Sequence, residues 1–491
     1  MQLSELLLGT DVDCGKFSNL NVCGVSYDTR RMHKNDVYIS FGNIEYAIEA
    51  YKKGAALYIG ETFVEGLEIP QLITSNARRT AAFAYANFYE NPQKKMRIIG
   101  VTGTNGKTST AFMLKNILSH DGYKTALCGT VKCLIGDDEY IPNVSKESQN
   151  NFQTMTTPDP DVLYMAMRDM VEKGVEILVM EVSSHALALE KLAPIEFEIG
   201  VFTNLSKEHL DFHKDMESYL AAKTKLFKQC KKGVINTDDA YSKRIIGNAS
   251  CKVITYGIKE KGDYFAERIV KRGINGSEYV LHSANARFKV KTTIPGDFTL
   301  YNTLAAAVTA RELNVNLMTV QNALYAQNGI CGRLERVKLG FEGNTFSVFI
   351  DYAHTPFALE NLLKCVNEFR DRGQRIVTLF GCGGDRDKEK RSVMGKIAVQ
   401  MSDFVIITSD NSRGEEPREI INDILLGASG FDNFTVIENR KEAIEYAIEN
   451  AIDGDIVLLV GKGHEQYEIN KKGMFAFCES EIAKEAAKKR R

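Results

Sequence analysis

From Ile98 to His120 an apolar run stops at a glycine-rich turn, Gly-Val-Thr-Gly-Thr-Asn-Gly-Lys-Thr, and a helical pattern follows at once. Ala111, Leu114, Ile117 and Leu118 recur at helix spacing. Strand, glycine loop, helix is the layout of a phosphate-binding loop. Backbone N–H groups at the helix start face an anion, and the helix dipole favours negative charge there. Lys107 is placed to reach the β- and γ-phosphates of a nucleotide, and Thr108 to ligate Mg²⁺. The general pattern has a glycine five residues before Gly106, where this chain has Val101, so the loop is a variant.

The same alternation continues along the chain. Short strand-like runs (Val22–Tyr27, Val37–Phe41, Ala55–Ile59, Gln71–Ile73) alternate with helix-like segments up to Asn91-Pro92, which reads as a linker. A second region opens at Arg97 and contains the apolar strands Glu176–Met180 and Ile199–Thr203. Its stretch Phe265–Ile294 is β-rich, and an alanine-rich helix spans Asn302 to Leu313. A third region starts near Gly332, with strands Phe346–Ile350, Ile376–Phe380, Phe404–Thr408 and Ile456–Val460 separated by helical segments. The predicted class is α/β, with open parallel sheets covered by helices. Ligands in such sheets sit beyond the carboxyl ends of strands. Here those ends read Glu181, Asp351-Tyr352-Ala353-His354, Gly381-Cys382-Gly383-Gly384-Asp385, Ser409-Asp410-Asn411 and Gly461-Lys462-Gly463-His464-Glu465.

Composition narrows the class. A chain of 491 residues exceeds a single core. Its net charge of −2 gives no case for a nucleic-acid partner. No apolar run reaches membrane-spanning length and no secretory leader is expected at the start. The 10 cysteines contain no C-x-x-C pair, which suggests reduced thiols in a cytoplasmic protein.

These motifs resemble the Mur ligase family, most closely its UDP-N-acetylmuramoyl-tripeptide synthetases. The resemblance rests on Gly-Thr-Asn-Gly-Lys-Thr (103–108), Thr156-Thr157-Pro158, Met-Glu-Val-Ser-Ser-His-Ala-Leu (180–187) and Thr-Asn-Leu-Ser-Lys-Glu-His-Leu-Asp-Phe-His (203–213). It continues through Ala-Ala-Lys (221–223), Asp-Tyr-Ala-His-Thr-Pro (351–356), Gly-Cys-Gly-Gly-Asp-Arg-Asp (381–387) and Gly-Lys-Gly-His-Glu (461–465). What it implies is three domains: a UDP-substrate domain (1–95), a central P-loop ATPase (96–331) and a Rossmann-like amino-acid domain (332–491). It also implies ATP-dependent amide formation through an acyl phosphate in peptidoglycan precursor synthesis, by a cytoplasmic monomer acting on small molecules.

Site roles follow from the resemblance. Gly103, Thr104, Asn105, Gly106, Lys107, Thr108 and Ser109 would bind ATP, with Asn302, Asp351 and His354 on its nucleoside. Thr108, Glu181, His209 and Lys223 would hold Mg²⁺, Lys223 as a carbamate formed with CO₂. An uncharged amine, favoured by desolvation or nearby cations, is the chemical requirement for that adduct. Arg333 would join Lys107 in offsetting phosphoryl charge. Thr29, Thr156, Thr157, Ser184 and Lys191 would bind the UDP-sugar peptide, and Arg391, Asp410, Asn411, Arg413, Gly461 and Glu465 the incoming amino acid. Family members that use meso-diaminopimelate carry Asp-Asn-Pro-Arg, and this chain has Asp410-Asn411-Ser412-Arg413. Lysine has no distal carboxylate, so the retained arginine favours meso-diaminopimelate over L-lysine. The first region departs most: Ser40-Phe41-Gly42 runs straight into Asn43–Tyr51, several residues short of the family's Asp-Gly-His loop, and Thr29 replaces a serine. Three further readings stay open here: the lysine-adding homologue, an amide ligase acting on another carboxylate, and a non-catalytic nucleotide-binding module.

Overall fold

In the computed structural model, which describes residues 1–144, 149, 155–327, 329–330, 332–340 and 345–490, the apolar runs are strands to within a few residues. Gly24–Ser26 (β1), Asp36–Ile39 (β2), Leu57–Gly60 (β3) and Gln71–Ile73 (β4) form a parallel sheet in that order. Then come Arg97–Thr102 (β5), Thr125–Cys128 (β6), Cys133–Ile135 (β7), Asp138–Glu139 (β8), Ile177–Glu181 (β9), Phe197–Phe202 (β10), Cys230–Asn236 (β11) and Lys252–Gly257 (β12). These strands lie side by side in the order β12-β11-β10-β5-β9-β6-β7-β8. Pairing is parallel from β12 to β6 and antiparallel in the β7 and β8 turns. The β-rich stretch supplies Tyr264–Lys271 (β13), Ser277–Ser283 (β14) and Ala286–Thr292 (β15), followed by the helix Asp297–Glu312. The last sheet has Glu335–Arg336 (β16), Ser347–Asp351 (β17), Ile376–Phe380 (β18), Phe404–Ile407 (β19), Phe434–Val436 (β20) and Ile456–Val460 (β21), in the order β16-β17-β21-β18-β19-β20.

A parallel strand is apolar on both faces because helices cover both. In β21, Ile456, Leu458 and Val460 join one core and Val457 and Leu459 the opposite one, none more than 1% exposed. Each such side chain contributes about 1.5–3 kcal/mol of burial free energy. The chain divides into two compact units. One comprises Met1–Ala266, Leu281–Arg287 and Tyr301–Val320, the other Glu267–Val280, Phe288–Leu300 and Gln321–Arg491. The first unit crosses the boundary expected at residue 95. Tyr85 shares a core with Tyr164, and Tyr27 Oη donates to Asp161 Oδ1 at 2.5 Å. The Asn91-Pro92 linker is a 3₁₀ turn, Pro92–Lys94, with Pro92 and Gln93 buried. The boundary expected at 331 falls on Cys331, outside the described residues, while the nine described cysteines are all free thiols. Among the described residues no helix is long and apolar enough to cross a membrane.

Candidate functional site

The sheet order assembles the first site. β5 lies between β9 and β10, so the turn after Thr102 is flanked by the strand ends at Glu181 and Thr203. Gly103 has φ +154 and Gly106 φ +83. A Cβ on Gly103 would lie 1.9 Å from Thr203 Oγ1, and one on Gly106 2.4 Å from Asn302 Oδ1. The loop between them is tied to the next strand end. Thr203 Oγ1 donates to Asn105 O (2.6 Å), Asn105 N donates to Asn204 Oδ1 (2.9 Å), and Ser206 N donates to Thr104 Oγ1 (2.9 Å). The helix Lys107–His120 starts on Gly106, which has no side chain to cap the amides of its first turn, where Thr108 and Ser109 lie. Lys107 Nζ folds over the loop and donates to Gly103 O (2.9 Å) and Thr104 O (2.8 Å). Asn302 is buried behind the loop, its Oδ1 accepting from Thr110 Oγ1 (3.4 Å). Gly106→Ala combines a collision with a disfavoured φ. We expect it to cost about 1–3 kcal/mol, read as a lower midpoint of thermal unfolding.

Glu181, only 1% exposed, sits at the carboxyl end of β9. Its Oε2 accepts from Thr108 Oγ1 (3.0 Å) and Thr130 Oγ1 (3.1 Å), and its Oε1 from Thr130 N (3.0 Å). Thr130 Oγ1 also reaches Thr156 Oγ1 (3.0 Å), and Thr157 Oγ1 donates to Glu181 O (2.9 Å). Gly129 makes room for this carboxylate, since a Cβ there would be 2.2 Å from Glu181 Oε1. Gly129 and Thr130 were not read from the sequence. They follow β6, and only the sheet order places β6 beside β9.

Lys223 lies in the last turn of the helix Met216–Thr224, whose N-cap Asp215 accepts from Ser218 N (2.7 Å) as its sequence suggests. The lysine is 1% exposed. Nζ donates to Gly103 O (2.8 Å) and lies 4.6 Å from the centre of the Tyr219 ring. Burial first, and the Lys107 cation second, push its amine well below the ordinary lysine range. Tyr219 Oη meets Thr104 Oγ1 at 3.2 Å. His209, with φ +57, carries an exposed ring 5.0 Å from His185 and 6.2 Å from Tyr219. His213 is buried against Ser184, Nε2 to Oγ 2.8 Å. Desolvation above all pushes His213 down to about 4. Lys107, Thr108, Glu181, Lys223 and Gly103 are thus joined through one loop.

Two residues expected on the substrate have partners within the protein. Thr29 Oγ1 donates to Glu49 Oε2 (2.9 Å), and Lys191 Nζ pairs with Asp159 (2.5 Å). Asn43 caps the helix Ile44–Lys52 that replaces the family loop, accepting from Glu45 N (2.9 Å).

In the second unit the motif loops leave the carboxyl ends of β17, β18, β19 and β21. Asp351 ends β17 and accepts from Leu334 N (2.7 Å) and Ala353 N (2.9 Å); burial raises its carboxyl despite the Arg333 charge nearby. Arg333 lies over Tyr352, 5.2 Å to the ring centre, and the exposed His354 turns Nδ1 to Tyr352 O at 2.9 Å. Asn411 is a hub. Its Nδ2 donates to Glu465 Oε2 (2.7 Å), and its Oδ1 accepts from Lys462 Nζ (2.9 Å) and Ile469 N (2.9 Å). Arg413 has φ +49, and its half-buried guanidinium donates to Gly384 O (3.0 Å) and Asn411 O (3.3 Å). Gly461 (φ +116) leaves room for Asp410, whose Oδ2 would be 2.7 Å from a Cβ there. Burial would raise the Asp410 carboxyl, yet Lys462 and Arg440 hold it below its ordinary value. Arg391, the residue expected on an amino-acid carboxylate, also bonds within the protein. Its side chain is wholly buried and its terminal nitrogens pair with Glu415 (2.8 Å) and Asp423 (2.9 Å). The Arg391 hydrogen bonds hold Glu415 down to about 2. Arg391 therefore braces the glycine loop after β18.

Comparison with known proteins gives a consistent pattern. Residues 101–310 match the family model described as the Mur ligase middle domain, and residues 332–463 the one described as Mur ligase, glutamate ligase domain. The chain is 41% identical over 493 residues to the UDP-N-acetylmuramoyl-L-alanyl-D-glutamate–2,6-diaminopimelate ligase of Caldanaerobacter subterraneus subsp. tengcongensis, covering 99% of this chain and 98% of that one. It is 40% identical to such a ligase of Clostridium acetobutylicum, over 97% and 96% of the two chains. A solved structure of a ligase of that name superposes with a TM-score of 0.71 at 29% identity, over 100% of this chain and 99% of the other.

Proposed function

Because the chain belongs to the Mur ligase family, we propose that it is an ATP-dependent ligase joining meso-diaminopimelate to UDP-N-acetylmuramoyl-L-alanyl-D-glutamate. The observation that carries this reading is the enclosed set of Lys107, Thr108, Glu181 and Lys223 around one glycine loop. The name shared by relatives aligned over nearly the whole chain supports the choice of substrates. The same reading makes residues 1–95 the UDP-substrate region, 96–331 the ATPase and 332–491 the amino-acid region of a cytoplasmic monomer.

The residues fit the groups they would hold. Two glycines that admit no Cβ leave bare backbone for a phosphate, at an uncapped helix start. Glu181, Thr108 and Thr130 present hard oxygens suited to Mg²⁺. Thr108 and Glu181 would hold one ion. His209 and a carbamate on Lys223 would hold a second. ATP, when bound, supplies the phosphoryl group that activates the D-glutamyl carboxylate as an acyl phosphate, from which the amine displaces phosphate. Lys107 holds the loop closed over its carbonyls and offers its charge to the phosphates. His213 holds the Ser184 hydroxyl, and Ser184, Thr156 and Thr157 would bind the peptide of the UDP substrate. Arg413 offers a cation to the distal carboxylate of the amino acid, held in place by the backbone bond from its N to Ile469 O (3.1 Å).

The test is product formation from ATP, Mg²⁺ and the UDP-dipeptide with meso-diaminopimelate or L-lysine in parallel. We expect product with diaminopimelate, and a loss of about 10²-fold in kcat/KM for that acid in Arg413→Ala. Product from lysine alone would overturn the specificity, and product from neither the substrate assignment.

A further inference from the structure

A buried ion pair behind the amino-acid loops does work that none of the motifs describes. Arg440 opens the helix Arg440–Glu449, and Glu479 opens the helix Glu479–Lys489. Their side chains are 0% and 1% exposed, and Arg440 Nη2 and Glu479 Oε1 are 2.8 Å apart. Arg440 Nε donates to Glu479 Oε1 (2.9 Å), and the two terminal nitrogens donate to main-chain carbonyls. Nη1 donates to Ser409 O (3.2 Å) and Nη2 to Val460 O (2.8 Å). Ser409 directly precedes the Asp410–Arg413 loop, and Val460 directly precedes the Gly461–Glu465 loop. Arg440 Nη1 also lies 4.0 Å from Asp410 Oδ2. One planar fork therefore spans the roots of both loops, a geometry that a lysine ammonium cannot reproduce.

Lys462 joins the loops again one layer nearer their tips. It is 0% exposed and 3.6 Å from Asp410 and 3.7 Å from Glu465, while it donates to Asn411 Oδ1 and Tyr467 O. A buried ion pair adds little net stability by itself, because desolvation offsets its attraction. What this one adds is a fixed relative position of two strand ends that share no hydrogen-bonded pairing, since β18 separates β19 from β21.

We propose that Arg440 and Glu479 are positioning residues for the incoming amino acid. They hold the Asp410–Arg413 and Gly461–Glu465 loops in one register, so that Arg413 and Glu465 present themselves together. The pair touches no substrate and acts through the two loop roots. The proposal rests on the assignment of this site to the amino acid.

The test uses the full-length protein and the variants Glu479→Gln and Arg440→Lys. Glu479→Gln keeps an acceptor at Oε1 and removes the charge, and Arg440→Lys keeps the charge and removes the fork. In both, KM for meso-diaminopimelate should rise about 10-fold, in line with losses on removing supporting partners around a site. KM for ATP and for the UDP-dipeptide should change less than about 2-fold. Hydrogen exchange without substrates is the second measurement. Amides of 410–413 and 461–465 should exchange faster together, with those of 103–109 unchanged. Equal rises in all three KM values, or faster exchange confined to 479–489, would show a purely structural pair and overturn the proposal. If wild-type protein uses no diamino acid, the substrate assignment fails, and the exchange pattern still decides whether the pair couples the loops. If a variant does not fold, the other variant decides, as each removes a different half of the fork.

Discussion

Lys107→Ala is expected to lower kcat for substrate-dependent ADP release about 10³-fold, the scale on which preorganised charge acts in phosphoryl transfer. The geometry says why the loss is large and confined. Lys107 Nζ is held by two carbonyls of the loop itself, Gly103 O and Thr104 O, so its charge is fixed before a phosphate arrives. A preorganised cation needs no reorganisation when charge builds on the transferring group. Lys107→Arg is expected to recover little, since a planar fork does not fit where a compact ammonium bridges two carbonyls. The fold does not depend on it, because Thr104 and Asn105 remain tied to Asn204 and Thr203. Thermal unfolding of the variant should therefore stay within a few degrees of wild type. A variant that unfolds early, or one that retains turnover, would contradict the role.

Lys223→Ala is expected to lower turnover about 10²-fold or more, and a short carboxylate such as acetate should restore part of it. The side chain is 1% exposed, and among the described residues no carboxylate lies within 4.0 Å of its amine. Its contacts are Gly103 O and the face of Tyr219. A fully charged ammonium is costly in such a place. Burial and the Lys107 charge accordingly favour the neutral amine, the form that reacts with CO₂. A carbamate there would supply an anion for the proposed second Mg²⁺ beside the glycine loop. Rescue by acetate separates this from packing, because a cavity left by a structural lysine gains nothing from an added anion. Full activity in Lys223→Ala, or no response to any small carboxylate, would remove the carbamate from the mechanism.

Lys107 was readable from its own turn, whereas the role expected of Lys223 came only from the resemblance to the Mur ligases. Gly106-Lys107-Thr108 lies in one turn, and the helix phase that carries Lys223 runs from its own N-cap Asp215. The α/β class was readable for the same reason: buried parallel strands are continuous apolar runs, as β9 and β21 are. The internal partners of Arg391 were not legible, because an arginine beside a glycine loop looks the same whether it faces a ligand or an internal carboxylate. Glu415 and Asp423, which claim it, lie on the far side of β19 in the chain. The internal partners of Thr29 and Lys191, Glu49 and Asp159, were hidden likewise, being brought near by folding.

The amino-acid sequence by itself determined the phosphate loop, the strand-and-helix alternation, and the set of polar strand ends where ligands could sit. Each depends on contacts within a turn or on the period of one element. The tertiary structure alone decided which strand ends face each other. Placing β5 between β9 and β10 set Glu181 and Thr203 on either side of Gly103. Placing β6 beside β9 brought Gly129 and Thr130 to the buried carboxylate. Inserting β18 between β19 and β21 left two motif loops that Arg440 and Glu479 must join. Strand order is fixed by how helices cover both faces of a sheet, a long-range packing problem that no window of sequence contains.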